Sequence, residues 1–237
     1  MKPFFTALFA LTLLVANAQK HPDYWQQRID YTMDVSMNVE DFTYKGSSTV
    51  QYTNHSPDTL TRVFFHLYFN AFRPGSDMDA RLQSISDPDN RMVTENKESR
   101  ISVLSEDEMG YLRVTQITQN QGAPLKASHE ETILVVDLQT PLLPQSSTLL
   151  NLDFEGQVPL QIRRSGRNSE EGVALSMSQW YPKMVEYDHE GWHDYPYIAR
   201  EFHGVWGDFD VKLTLDKSYT VAATGYLQNA DEIGHGY

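Results

Sequence analysis

The 237 residues carry a formal net charge of -13 at pH 7, which argues against nucleic acid and anionic lipid as partners. Cysteine is absent, so no disulfide can brace the fold, and any metal site must draw on histidine and carboxylates. The length allows one large or two small domains.

Lys2 is followed by an apolar run from Phe4 to Val15 and then by Ala16-Asn17-Ala18. A basic start, a short apolar stretch and a small-residue cleavage site predict a secretory signal peptide over 1–18, hence an exported protein, periplasmic or secreted. That run is too short to span a bilayer comfortably, and no later stretch is long enough, so no membrane span is expected.

Beyond the lead-in, Tyr31, Met33, Val35, Met37 and Val39 alternate with polar residues, the period of a half-buried strand. Asp41 interrupts, and Tyr44 to Thr53 resumes as a second, antiparallel strand. Asn54 to Asp58 is a turn cluster. Arg62 to Asn70 is almost entirely β-branched or aromatic, which predicts a central strand with His66 as a packed core residue. Ser76 is placed to cap a short helix ending near Gln83, with Asp77 and Asp79 in its first turn. Asp87 to Arg100 has no pattern and reads as an exposed loop. Strands follow at Tyr111–Thr118, Ile133–Leu138, Thr148–Phe154 and Val173–Met177, with a looser hairpin turn at Asn120-Gln121-Gly122. Arg163, Arg164 and Arg167 fall in one loop, either an anion clamp or a solvated segment. Phe209–Leu215 and Tyr219–Ala223 close the series.

The fold class is therefore all-β: a saddle-like, multi-sheet β-sandwich with at most one or two short helices.

Gln179 to Asp210 stands apart. Three of the chain's 4 tryptophans lie there, Trp180, Trp192 and Trp206, among many tyrosines and phenylalanines. Such density suits a domain interface or a cleft wall. Within it lies His189-Glu190-Gly191-Trp192-His193, the spacing of a zinc-hydrolase motif. That motif works on a helix, which sets two imidazoles one turn apart on one face. Here Gly191 costs about 1 kcal/mol mid-motif, Pro196 ends any helix soon after, and no third ligand falls at a usual offset. A non-helical set of His189, His193, Glu201 and His203 is a second arrangement. Asp208 and Asp210 read as a solvated edge or a calcium-like contact. No G-x-S-x-G, phosphate-binding glycine loop or cysteine nucleophile is present.

RVFFHLYFNAFRPGSDMDARL, GQVPLQIRRSGR, SQWYPKMVEYDHEGWHDYPYIAREFHGVWGDFDV and AATGYLQN resemble the N-terminal part of exported bacterial zinc metallopeptidases of the aminopeptidase N (gluzincin) family. The resemblance runs from about Tyr24 to Tyr237 and is most specific between Trp180 and Val211. It implies that 19–237 is the N-terminal β-domain that covers the active site, and that the catalytic domain, with the zinc, follows residue 237. This chain then holds no catalytic residue and no metal of its own. Its partners are the catalytic domain of the same polypeptide and, through the full enzyme, a peptide substrate. In the family this domain also lends a polar side chain to the pocket for the substrate's free amino group; the matching position is Gln179, whose amide carbonyl can accept from an ammonium group. Two other readings stay open: a self-contained zinc hydrolase using His189, Glu190 and His193, and a non-catalytic sandwich that binds peptide or glycan through its aromatic face.

Overall fold

A computed structural model describes residues 24–198 and 202–233. The expected signal peptide and Glu201 lie outside them.

In chain order come β1 (Arg28–Asn38), β2 (Thr43–Asn54), β3 (Leu60–His66), a 3-10 turn (Tyr68–Ala71), α1 (Asp77–Ser84), β4 (Tyr111–Gln119), β5 (Ala127–Glu130), β6 (Ile133–Leu142) and β7 (Ser146–Gln157). Five two-residue strands follow: β8 (Gly166–Arg167), β9 (Leu175–Ser176), β10 (Lys183–Met184), β11 (Tyr187–Asp188) and β12 (Gly191–Trp192). The last elements are β13 (Trp206–Thr214) and α2 (Ala230–Ile233).

One sheet of five strands has the order β13, β1, β2, β7, β4, and a second of four has β10, β3, β6, β5. All pairings are antiparallel except β1 with β13. The period-two pattern explains the layers. Ile29, Tyr31, Met33 and Val35 of β1, Val50 and Tyr52 of β2, and Leu150, Leu152 and Phe154 of β7 all turn inward. They meet Val63 and Phe65 of β3 and Leu134 and Val136 of β6 in one apolar core. The chain is thus an all-β, multi-sheet sandwich with two short helices.

Cross-strand geometry shapes that core at two glycines. Tyr44 lies opposite Gly156, and Gly46 opposite Phe154. A Cβ on Gly156 would meet the Tyr44 ring at 2.3 Å. Each glycine leaves room for the ring across the ladder, so both large aromatics lie flat against the sheet.

A second, smaller core collects Tyr68, Phe72, Met78, Leu82, Met92, Ile101 and Tyr197. The helix capped by Ser76 forms as expected: Ser76 Oγ accepts from Asp79 N–H at 3.2 Å and donates to the Ala71 carbonyl at 2.7 Å.

Several expectations need correction. The strand begun at Arg62 stops at His66, because the chain turns through 68–71 to bury Tyr68 and Phe69. The 87–100 segment is not simply exposed: Met92, Val93 and Ser99 are buried, and the adjoining Ile101 with them. Asn120 and Gln121 both take left-handed φ, 51° and 60°, and Gly122 N–H reaches the Gln119 carbonyl at 2.8 Å, a tight two-residue turn. Tyr219–Ala223 forms no strand. No helix among the described residues is long and apolar enough to cross a membrane.

Candidate functional site

The aromatic segment is mostly internal. Trp180, Tyr181, Tyr187 and Trp192 pack against the main core, and Tyr197 joins the smaller one. Trp192 contacts Phe64, centroids 5.2 Å apart, and Tyr187 at 4.9 Å. Tyr31 pins the segment to β1: its hydroxyl donates to the Pro182 carbonyl at 3.0 Å and accepts from Met184 N–H at 2.9 Å. Burial pushes the Tyr181 phenol up to about 12 and the Tyr31 phenol well above its ordinary value. Trp180, Tyr181, Tyr187 and Trp192 thus form a wall that closes the sandwich, while Tyr195, Trp206 and Phe209 of the same segment stay exposed.

The segment borders a narrow cleft of about 20 Å³, room for little more than one water, lined among others by Gln179, Tyr68, Phe72, Arg163, Tyr197 and Phe202. Gln179 has φ 57°. A non-glycine residue there is strained by about 1–2 kcal/mol, and such strain persists only where neighbours enforce it. They do so on both sides. The Ser165 hydroxyl takes the Ser178 N–H at 2.8 Å, and Tyr44 O–H donates to the Trp180 carbonyl at 2.5 Å. The held residue turns an amide whose Oε1 is buried without a hydrogen-bond partner among the described residues. A buried, unsatisfied acceptor costs about 1–3 kcal/mol and fits a position waiting for a donor.

The three arginines of the neighbouring loop do not form a simple clamp. Arg167 is buried, its guanidinium 4.4 Å from the Phe42 ring centroid, and it donates to the Asp107 carbonyl. Arg163 Nε stands 3.5 Å from Asp89 Oδ2. Asp89 is held down to about 2 chiefly by its hydrogen bond from Arg91. Arg167 thus corrects the solvated reading of that loop.

The His189–His193 string is a hairpin, not a helix. Tyr187 pairs with Trp192 and Asp188 with Gly191, leaving His189 and Glu190 as the two tip residues. Gly191 supplies φ 98°, which a helix does not use, and Asp188 Oδ1 accepts the Glu190 N–H at 2.8 Å. His189 and Glu190 are exposed. A helix-borne zinc pair with a glutamate base does not fit this backbone. His193 instead folds back: its N–H reaches the Glu186 carbonyl at 3.0 Å, and its Nε2 lies 2.8 Å from Asp188 Oδ2. His203, from the segment before β13, brings its ring to 4.8 Å from that of His193. Beneath them the Glu186 carboxyl is pushed up to about 7 by burial and by Asp188, with His193 opposing. Of the arrangement His189, His193, Glu201 and His203, the structure brings together His193 and His203 and adds Asp188. Sequence reading missed Asp188 because a two-residue hairpin, not a fixed ligand spacing, carries it to His193.

Asp208 and Asp210 are exposed on the edge strand β13, and Asp208 pairs with Arg28 at 2.6 Å. Their exposure and the Arg28 pair agree with the solvated-edge reading.

β13 holds a further feature. Phe209, Val211 and Leu213 sit opposite Tyr31, Met33 and Val35 of β1. The β1 residues are buried, yet Phe209 remains 47% exposed, Val211 39% and Leu213 43%. The inner apolar face of the large sheet thus runs on past its cover. Trp206, Tyr226 and Leu227 add to the exposed apolar surface.

No family model and no curated protein matches the chain. Solved structures do align with it. The M1 zinc metallopeptidase from Deinococcus radiodurans matches at 18% identity and TM-score 0.46, over 86% of this chain and 35% of that one. A mutant of the M1 zinc metallopeptidase from the same organism, bound to a Tyr-Ser-Ala substrate, gives 17%, 0.47, 86% and 36%. A mutant two-domain M1 zinc metallopeptidase bound to L-arginine gives 18%, 0.45, 86% and 35%. The chain spans about a third of the length of these proteins, and the likeness is too loose to assign it a family.

Proposed function

We propose that this chain is the non-catalytic N-terminal β-domain of an exported zinc-dependent aminopeptidase, a lid that helps to grip the substrate's amino terminus. The carrying observation is Gln179: a strained residue, clasped through both neighbours, that borders a narrow cleft of aromatic and arginine side chains and keeps a buried carbonyl oxygen without a partner among the described residues. That acceptor suits an ammonium group, which offers only donors. The motif resemblance between Trp180 and Val211 supports the same reading.

The uncovered strip of Phe209, Val211 and Leu213 is the surface on which the catalytic domain of the same polypeptide docks. A core face that continues beyond its cover is the surface a following domain in the same chain can reach. The inward turn of most of the aromatic segment disfavours a glycan- or peptide-binding aromatic face.

The test is an aminopeptidase assay on free-amine aminoacyl anilides with zinc supplied. The 237-residue chain shows no turnover. The full polypeptide of its reading frame is active, and Gln179→Ala raises KM for free-amine substrates about 10–100-fold, the worth of a charge-assisted hydrogen bond. Zinc-dependent turnover by the 237-residue chain, abolished in His189→Ala, overturns the proposal.

A further inference from the structure

We propose that Asp188, His193 and His203 form a structural binding site for a divalent transition-metal cation of the Zn²⁺ type, separate from the His189-x-x-x-His193 pairing that the sequence suggests.

The ligand atoms of the three side chains all lie within 4.8 Å of one another. Two imidazoles and a carboxylate are a donor set that zinc accepts, with water able to complete a tetrahedron. Ligands around tetrahedral zinc stand roughly 3.3 Å apart, as bond lengths near 2.0–2.1 Å require. His193 Nε2 and Asp188 Oδ2, at 2.8 Å, already approach that spacing. That pair has to part by about 0.5 Å and His203 to close by up to about 1.5 Å, and His203 is an exposed side chain on an irregular segment.

The pair is also poorly satisfied as it stands. His193 Nε2 is buried, and although the Asp188 oxygen is close, it lies outside the alignment that a hydrogen bond needs. A cation between them uses both lone pairs directly. The two ends of the site come from different places in the chain. Asp188 ends β11 and His193 follows β12, whereas His203 precedes β13. A bound cation ties that hairpin to the run that leads into the edge strand, whether or not a catalytic domain follows.

The experiment uses the 237-residue chain, stripped with a chelator and titrated with Zn²⁺ against a chromophoric competitor. Co²⁺ is loaded in parallel for its visible absorption bands. One equivalent is expected to bind, with tetrahedral Co²⁺ bands. His203→Ala, at an exposed position that leaves the fold intact by circular dichroism, weakens binding by more than about 100-fold, beyond the cost of losing a mere supporting partner. His193→Ala does the same, and His189→Ala leaves affinity unchanged. Failure to bind one equivalent overturns the proposal. So does loss of binding in His189→Ala with retention in His203→Ala.

Discussion

Tyr44 and Trp180 are joined by a hydrogen bond from the phenol to the main-chain carbonyl, 2.5 Å long, across 136 positions of sequence. It fixes one flank of Gln179 to the centre of the large sheet. Tyr44→Phe keeps the ring but orphans that carbonyl. The expected cost is about 1–3 kcal/mol of folding stability, from leaving a part-buried acceptor unpaired. Urea unfolding checks it; an unchanged midpoint counts against the bond.

Gly156→Ala places a methyl group where the Tyr44 ring now lies. The ring and the backbone of β7 are both held, so the chain absorbs the clash as overpacking. Destabilisation of about 1–3 kcal/mol is expected. Tyr44→Ala in the same background relieves the clash, so the two changes should be non-additive in a double-mutant cycle.

His66 gives the pH dependence. It is buried, stacks on Tyr68 with centroids 4.8 Å apart, and has its proton affinity pushed down to about 3 by burial, with Lys183 and His203 adding to the effect. The unfolded chain takes up the proton near pH 6.5, whereas the folded chain resists until about 3. Stability present above 6.5 is therefore lost as pH falls across that window, by up to about 1.4 kcal/mol per pH unit. His66→Phe should flatten this part of the stability profile. An equally steep profile in that variant assigns the loss to other groups.

Val211→Lys tests the uncovered strip of β13. The position is 39% exposed, so folding stability should change by no more than about 0.5 kcal/mol. Dye binding to exposed apolar surface, and self-association by sedimentation, should both fall. A loss of several kcal/mol shows the strip to be core instead.

Much of this was legible in sequence. Strands β1, β2 and β7 announce themselves because each buries one face, so their side chains alternate. Ser76 was legible because a cap is local chemistry. The end of β3 was not: RVFFHLYFN is apolar throughout, and an unbroken apolar run reads alike whether it continues as a strand or folds into a buried turn. Met92 and Ile101 were hidden for the opposite reason, as isolated apolar residues in a polar loop with no period. At the site, motif resemblance points to Gln179. Its strained backbone and unpaired oxygen depend on Ser165 and Tyr44, contacts that sequence separation conceals.

The parallel pairing of β1 with β13 has a consequence for how the molecule comes into being. Arg28 meets Trp206, and Ser36 meets Thr214. While the chain is being synthesised, β1 emerges well before β13 and must wait for every strand between them before its outer edge is sealed. Until then that edge offers unpaired amides and carbonyls to any neighbouring nascent chain. Closure across so long a loop is the slow, late step of assembly, and the interval before it is when this protein is most exposed to joining the wrong copy of itself.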